Sequence, residues 1–303
     1  MITRQAYENY KHSISCAYHS LSLLPQVSRE QLGFPSFNQI DGRSSQDVIA
    51  FCIESIKNRI KRLDPGLLSG FLETPKSRTI FFNNRKFVIP LLNSQAVEWY
   101  GASSIFNFDF LIESFLGMHQ DARTIYDIGG HQGIWAAYYS MLCGPTGRVF
   151  SFEPSIINIE CSSLLFMINN LTNIVNIAFG IGSESVILEK KNSQALIDFV
   201  DHNIGLIRFD QIYWERPDFV KIDIEGFEYE LIKSFPNLFD FCPNVHLELH
   251  IPHLQNRGLD YREIYEAIPF EKVKVINYQN GYLREVVLAD NLDGFCSLLV
   301  TAR

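Results

Sequence analysis

Two groups of side chains in this sequence have the types and the spacing to bind and transform a small ligand. The first lies between a predicted strand over 124–128 and a predicted helix over 134–142, and its sequence from Asp127 to Gly133 is DIGGHQG. Glycines at such a turn let the backbone bend sharply and approach a ligand closely, and the first N–H groups of a helix are unpaired. The spacing Asp-x-Gly-x-x-x-Gly differs from the Gly-x-Gly-x-x-Gly of dinucleotide-binding enzymes.

Acids near these glycines indicate which ligand the loop would hold. Asp127 would repel a pyrophosphate but would attract an ammonium group. Glu153 ends the next predicted strand, 26 residues after Asp127, and an acid at this place can accept hydrogen bonds from both hydroxyls of a ribose. The sequence therefore predicts a nucleoside cofactor with an amino-acid end, and S-adenosyl-L-methionine is such a ligand.

The second group lies in the stretch DFVKIDIEGFE, from Asp218 to Glu228. Asp223 and Glu225 fall at the carboxyl end of a predicted strand, where ligands of open α/β sheets bind. Two neighbouring carboxylates can hold a metal, bind an amine or share one proton. A solvated acidic loop in front of a helix is the alternative interpretation.

Histidines accompany the next predicted strand, over 245–250. His246, Glu248 and His250 alternate on one face of that strand, and His253 follows it. Such a set can bind a metal, but a strand that ends at the rim of a site has the same pattern, and we predict no metal from it. His250 is nearest to the strand's carboxyl end and is the best candidate for contact with a substrate.

Short β-rich runs alternate with helical stretches from residue 124 onward, which predicts a parallel, doubly wound α/β sheet. Strands are predicted over 124–128, 148–153, 174–178, 219–224 and 245–250, and helices over 134–142, 156–169, 228–234 and 261–267. The end of the chain differs, because strands over 272–278 and 283–288 flank a turn and a further strand follows over 295–301. The sheet is therefore expected to finish in an antiparallel hairpin.

The first 75 residues have a helical pattern. Apolar residues recur at three- and four-residue steps from Ser44 to Asp64, and Ser44 and Asp47 have capping-box-like spacing. Weaker patterns predict a helix over 1–24, a hairpin over 79–91 around Asn83-Asn84, and a helix over 106–118. We predict an N-terminal helical extension over 1–75 and a second domain over 76–303. The extension could be a lid over the substrate, could form a dimer interface, or could pack against the second domain. We also predict that residues 1–70 can be removed without loss of cofactor binding.

Composition excludes several classes of protein. The chain has 303 residues, of which 47% are hydrophobic and 20% charged, as in a globular protein with a core. It carries 26 Lys and Arg against 34 Asp and Glu, which disfavours a nucleic-acid-binding face. Its longest apolar run, Ile134 to Cys143, is too short to span a membrane, and its first residues lack the apolar core of a signal peptide. Six cysteines without a CxxC pair predict buried thiols in the cytoplasm.

Five stretches occur in the order found in FkbM-type methyltransferases, which the chain resembles over about residues 79–303: YDIGGHQG, FSFEPS, NNLTNIVNIAFG, DFVKIDIEGFE and HLELH. The resemblance implies a class I S-adenosylmethionine-dependent methyltransferase fold, which is Rossmann-like, with a seven-stranded sheet and a C-terminal antiparallel hairpin. It places Asp223 near the sulfonium and Glu153 at the ribose. The remaining cofactor contacts predicted from these motifs are Asp127, Gly129, Gly130, His131, Gly133 and Pro154. This chain has Gly130-His131 where the family often has Ala-Asn.

These observations together predict an enzyme that methylates a small molecule. O-Methylation of a hydroxyl on a sugar or natural product is expected, with Asp223, Glu225 or His250 orienting or deprotonating the acceptor. Methylation of an amine or a peptide side chain is the alternative, because the two carboxylates would attract a cation. An NAD-type oxidoreductase is a further alternative. The expected partner is a small-molecule substrate, with no nucleic acid and no membrane, and the N-terminal helices leave a homodimer open.

Overall fold

A computed structural model describes residues 1–20, 32–82, 85–101, 122–188, 204–212, 215–242, 244–279 and 282–302. The helix predicted over 106–118 and the turn residues Asn83-Asn84 and Asn280-Gly281 lie outside these ranges. Elements are numbered below in chain order.

Helices and a hairpin come before the central sheet. Their bounds are α1 Arg4–Ser20, α2 Phe37–Ile40, α3 Ser45–Leu63, a 3₁₀ turn Pro65–Gly70, β1 Phe71–Phe82, β2 Arg85–Asn93 and α4 Ser94–Tyr100. The predicted cap of α3 is confirmed, because the Ser44 side chain accepts a hydrogen bond from the Asp47 N–H. The hairpin is longer than predicted, since its pairing begins at Phe71. Helix α4 was not predicted; the Asn93 side chain caps it by accepting from the Ala96 N–H.

The central sheet is of the predicted α/β class. Its strands are β3 Thr124–Ile128, β4 Arg148–Phe152, β5 Ile174–Ile177, β9 Phe219–Ile222, β10 Val245–His250, β11 Val273–Gln279, β12 Tyr282–Val286 and β13 Phe295–Ala302. In the described residues the sheet has eight strands, in the order β12-β11-β13-β10-β9-β3-β4-β5, and not the expected seven. The strand beyond the seven that the resemblance implies is β12, which the sequence pattern predicted over 283–288 and which pairs with β11 from Gln279–Tyr282 to Val275–Val286.

Strand direction divides this sheet into two parts. The five strands from β10 to β5 are parallel to one another, whereas β13 is antiparallel to both β10 and β11. The predicted antiparallel end of the sheet is therefore confirmed. All residues of β3 and β9 are buried, as expected of central parallel strands covered on both faces. Their carboxyl ends meet at one edge.

In the described part of the chain, six helices connect the strands; four lie close to the predicted positions, whereas those over 238–241 and 251–256 were not predicted. They are α5 Ile134–Cys143, α6 Ile156–Ile168, α7 Glu228–Ser234, α8 Leu238–Phe241, α9 Ile251–Asn256 and α10 Arg262–Tyr265. A small second sheet was not predicted, and it consists of β6 Gly180–Gly182, β7 Val186–Leu188 and β8 Ile204–Arg208 in the order β6-β8-β7. Strands β6 and β7 have three residues each, which is too short to show the two-residue period of a strand.

The N-terminal helices pack against α6. A single hydrophobic cluster contains buried residues of α1, α3 and α6, among them Ile14, Ile56 and Leu164. The Arg59 guanidinium of α3 lies 2.6 Å from the Glu160 carboxylate of α6, and both side chains are at most 1% exposed. Packing against the core is thus the arrangement that the described residues show for this region.

Two further observations concern the cysteines and the lengths of the helices. All six cysteines are free thiols, and Cys16 is the one that is not fully buried. Within the described chain, no helix combines the length and the apolar character needed to cross a membrane.

Candidate active site

The glycine loop between β3 and α5 has a shape that excludes side chains. Gly129 has φ +83°, and a Cβ added there would lie 1.7 Å from the Asp223 carbonyl oxygen. A Cβ on Gly130 would lie 2.1 Å from the Ser151 Oγ. Gly133 has φ +84°, precedes α5 as its N-cap, and leaves no room for a Cβ against the α6 side chains. These three positions therefore admit only glycine, because neighbouring protein atoms fill the space that a Cβ would need, and we call the loop from Gly129 to Gly133 the glycine cradle.

Asp127 lies beneath this loop and has unused hydrogen-bonding capacity. Its side chain is fully buried, and no described residue donates a hydrogen bond to its Oδ1. The Lys221 ammonium is 3.7 Å away from that oxygen, and the Ser151 hydroxyl is 3.5 Å from Oδ2. Burial raises the pKa of Asp127, and Lys221 partly offsets the increase. An orphaned carboxylate oxygen beside a glycine cradle fits the ammonium end of S-adenosylmethionine.

Glu153 joins the glycine loop to the start of α6. Its Oε2 accepts a hydrogen bond from the His131 N–H at 2.8 Å, and its Oε1 accepts one from the Ser155 N–H at 2.8 Å. Burial raises its pKa to about 7 despite these bonds. Asn158 also donates to Oε1 at 3.3 Å, so Oε2 is the oxygen with a further lone pair, and its contact with a ribose stays a prediction. The half-buried Pro154 follows, with its ring facing the backbone of Gly180.

Helix α4 holds the His131 ring. The sequence predicted His131 as a cofactor contact but did not predict the side chains that surround it. The Tyr100 hydroxyl lies 2.5 Å from His131 Nδ1, the Gln95 Oε1 lies 3.0 Å from Nε2, and the Trp99 ring stacks at 4.7 Å. Burial lowers the pKa of His131 to about 4, so the ring is neutral at pH 7. Two features of the sequence could have predicted this helix and its contacts. Asn93 can cap a helix, and Gln95 and Trp99 are four residues apart, so they share one helix face.

Lys221 connects the cofactor cradle to the second acidic group. Its ammonium is fully buried and lies 3.0 Å from Asp223 Oδ2 and 3.5 Å from the Gly129 carbonyl oxygen. Burial opposes its charge, but Asp223 and Asp127 raise its pKa above the ordinary value. Burial works against the charge of Asp223 in the same way, and Lys221 lowers the pKa of that carboxyl. Both groups are therefore ionised at neutral pH.

The structure brings Asp223, Glu225 and His250 together, as predicted. The His250 Nε2 lies 3.7 Å from Asp223 Oδ1 and 3.5 Å from Glu225 Oε2. Its Nδ1 lies 3.1 Å from an oxygen of Glu228, a buried acid that the sequence did not single out. Burial lowers the pKa of His250, but Glu228 and the other two acids raise it to about 9. Strand β9 ends at Ile222, so the two acids lie in the following loop, where Glu225 has φ +55°.

His246 and Glu248 of β10 do not belong to this cluster, whereas His253 of α9 borders it. His246 Nε2 lies 2.6 Å from the Ser297 Oγ, and burial lowers its pKa to about 3. Burial and the neighbouring Asp223 raise the pKa of Glu248 to about 8. His253 stacks on His250, and its Nδ1 is 3.3 Å from Glu225 Oε2. The set of His246, Glu248 and His250 that the strand period suggested is therefore not the one that converges.

This edge of the sheet thus combines a cradle for a ligand with a cluster of acids and bases. One atom each of Asp223, Glu225 and His250 lies within 4.8 Å of the others. Lys221 links Asp223 to Gly129, so the cluster lies next to the cradle. Such a site can align a bound acceptor with a reactive cofactor and move a proton.

A family model matches the part of the chain that contains this site. The family model described as "Methyltransferase FkbM domain" matches residues 127–282, just over half of the chain. None of the curated proteins matches this chain in sequence.

Solved structures of two methyltransferases are similar to this chain. The FkbM methyltransferase from Methylobacillus flagellatus is 18% identical, with 59% of this chain and 44% of that chain covered and a TM-score of 0.42. The O-methyltransferase from Bacillus cereus, solved with S-adenosylhomocysteine, is 19% identical, with 68% and 86% covered and a TM-score of 0.39. This chain therefore matches less than half of the length of the Methylobacillus protein. From the sequence match over residues 127–282, the chain belongs to the FkbM methyltransferase domain family and is an enzyme that uses S-adenosylmethionine.

Proposed function

We propose that this enzyme transfers a methyl group to a hydroxyl of a small polar molecule, such as a sugar or a natural product. The grouping of Asp223, Glu225 and His250 beside the glycine cradle supports the proposal. S-adenosylmethionine supplies an electrophilic methyl on a sulfonium. The acceptor oxygen would take this methyl group, S-adenosylhomocysteine would leave, and the hydroxyl proton would pass to a base of the cluster.

The charges of the cluster assign different tasks to its members. Partial desolvation and the neighbouring Asp223 carboxylate raise the pKa of the exposed Glu225, which makes it a stronger base than Asp223, whose pKa Lys221 lowers. Glu225 is also 41% exposed, so an acceptor can reach it. We infer that Glu225 takes the hydroxyl proton, while Asp223 and His250 orient the acceptor.

A hydroxyl fits this site better than an amine. Two carboxylates by themselves would attract a cation, but Asp223 already lies 3.0 Å from the Lys221 ammonium. Glu225 lies 3.5 Å from His250, whose raised pKa keeps the imidazole protonated at pH 7. The attraction for a further positive charge is therefore reduced, and a neutral acceptor avoids the cost of burying another ion.

Further parts of the proposal concern partners and surroundings. The excess of acids over bases supports a small-molecule substrate over a nucleic acid, and the free thiols support the cytoplasm. The division into an extension over 1–75 and a methyltransferase domain over 76–303 stays a prediction, as does a homodimer.

Transfer of a labelled methyl group to panels of sugars, other alcohols and amines tests the acceptor. We expect product from a hydroxyl compound, and kcat lower by about 10²–10⁴-fold in Asp223→Asn and Glu225→Gln. Both variants should bind S-adenosylhomocysteine in calorimetry. The matched control is Glu263→Gln, an exposed acid that pairs with Lys233. Product from amines alone, or full turnover in Glu225→Gln, would contradict the proposal.

A further inference from the structure

We propose that Asp223, Glu225 and His250 bind a divalent transition-metal ion. The site itself rests on the geometry of these side chains. The task that we give to the ion, holding the hydroxyl oxygen of the acceptor, rests on the proposed function.

The separations between the three side chains suit one ion between them. His250 Nε2 lies 3.7 Å from Asp223 Oδ1 and 3.5 Å from Glu225 Oε2, beyond good hydrogen-bond distance. Ligand atoms about 2.1 Å from a tetrahedral ion are roughly 3.4 Å apart. The two separations from His250 are therefore close to this value, and the ligand atoms of all three side chains lie within 4.8 Å of one another.

His250 is oriented from behind by a buried acid. Its side chain is 7% exposed, and its Nδ1 lies 3.1 Å from Oε1 of the fully buried Glu228. The same Glu228 oxygen accepts a hydrogen bond from the Ile224 N–H at 3.1 Å, which fixes the carboxylate. A proton on Nδ1 directs Nε2 into the gap between Asp223 and Glu225, and no described residue makes a hydrogen bond to Nε2. In many metal sites a carboxylate orients the histidine ligand in this way.

The two carboxylates are held in a similar way. Lys221 lies 3.0 Å from Asp223 Oδ2, so Oδ1 is the oxygen that faces His250. His253 Nδ1 lies 3.3 Å from the Glu225 carbonyl oxygen, its hydrogen-bond partner, and 3.3 Å from Glu225 Oε2, so it fixes the backbone that carries this carboxylate. Binding would release the Nε2 proton, and the two carboxylates would then balance the charge of a divalent ion.

The ligand set indicates both the kind of ion and its use. An imidazole with two carboxylates suits Mn²⁺, Fe²⁺ or Zn²⁺ better than Mg²⁺ or Ca²⁺, which prefer oxygen ligands. Three protein ligands leave positions open, as in catalytic sites, and the Glu225 side of the site is exposed. An acceptor hydroxyl in an open position would have a lower pKa, and its proton could leave to solvent. With Glu225 bound as a ligand, the ion would take over from Glu225 the task of making the acceptor oxygen nucleophilic.

Calorimetric titration of the chelator-treated, full-length protein with Mn²⁺ and with Zn²⁺ tests the site. We expect one ion per chain, with affinity lower by about tenfold or more in Glu225→Gln, whose side chain is exposed and contributes nothing to the core. Glu228→Gln should weaken binding by about 10–100-fold through the orientation of His250. Glu263→Gln should bind as the wild type does. Absence of binding by the wild type, or equal binding by Glu225→Gln, would overturn the site.

A parallel assay separates this proposal from the proposed function. If the protein binds Mn²⁺ but methylates only amines, the metal site stands and the proposed acceptor is wrong. If a hydroxyl compound is methylated at an undiminished rate after chelation, and no ion binds, the acceptor stands and the metal site is wrong. Activity that chelation removes and Mn²⁺ restores in the wild type supports both.

Discussion

Gly129 shows how a single residue shapes the cofactor cradle. Its φ of +83° is left-handed, and the Asp223 carbonyl oxygen occupies the space that a Cβ would need. The Gly129 N–H donates to the Phe152 carbonyl at 2.9 Å, so the backbone cannot move away without losing that bond. The close approach of the two loops therefore depends on a missing side chain.

Gly129→Ala tests this dependence. We expect it to lower the free energy of unfolding by roughly 2–4 kcal/mol, because backbone strain and a clash with backbone add up. It should also abolish S-adenosylhomocysteine binding. Gly42→Ala is the matched control, since Gly42 has φ +71° with nothing within 4 Å, and should cost only about 1 kcal/mol.

Denaturant unfolding measures the loss of stability, and calorimetric titration with S-adenosylhomocysteine measures the loss of binding. Equal losses of stability in the two variants would show that the left-handed conformation matters and the close approach does not.

Helix α6 connects the site to the N-terminal helices. At its start, the Ser155 N–H donates to Glu153, which holds the glycine loop. In its middle, the carboxylate of Glu160 receives hydrogen bonds from Arg59 and from the Tyr18 hydroxyl. A shift of this helix would therefore change the cradle.

Arg59→Met tests the middle of the helix. We expect a loss of about 3–5 kcal/mol in the free energy of unfolding, because Glu160 is left buried and unpaired. Arg59→Met with Glu160→Met should recover most of that loss, since no uncompensated charge remains. Breaking the exposed pair of Lys233 and Glu263 with Lys233→Met should change stability little.

Denaturant midpoints of the three variants provide the measurement. A double variant as unstable as Arg59→Met alone would mean that the apolar packing around the pair matters more than its charges.

For the molecule as a whole, the N-terminal helices complete a hydrophobic core. Their buried residues form one cluster with those of α6, and Glu160 has its ion-pair partner on α3. The sequence suggested a region that could be removed. The structure indicates instead that removal would expose the apolar face of α6 and leave a charge unpaired.

Deletion of residues 1–70 tests this arrangement. We expect the shortened chain to lose cooperative unfolding and to bind a hydrophobic dye, because the α6 face is uncovered. Near-ultraviolet circular dichroism and dye fluorescence measure the change. An unfolding midpoint equal to that of the full chain would support a separable extension.

Local patterns in the sequence determined the class of the fold and the places where chemistry could occur. Alternating strands and helices, the cap at Ser44 and the glycine spacing after Asp127 each involve residues close together along the chain. Asp223, Glu225 and His250 were found in the same way, because each follows or ends a predicted strand. Short elements such as α4 and β6 were missed, since too few residues carry their period.

Only the tertiary structure decided which of these residues meet. Arg59 and Glu160 are 101 positions apart, and Glu228 and His250 are 22 apart. Their pairing depends on sheet order and helix packing. No local pattern specifies partners at such separations, because burial, not spacing, makes an isolated charge costly and selects its partner.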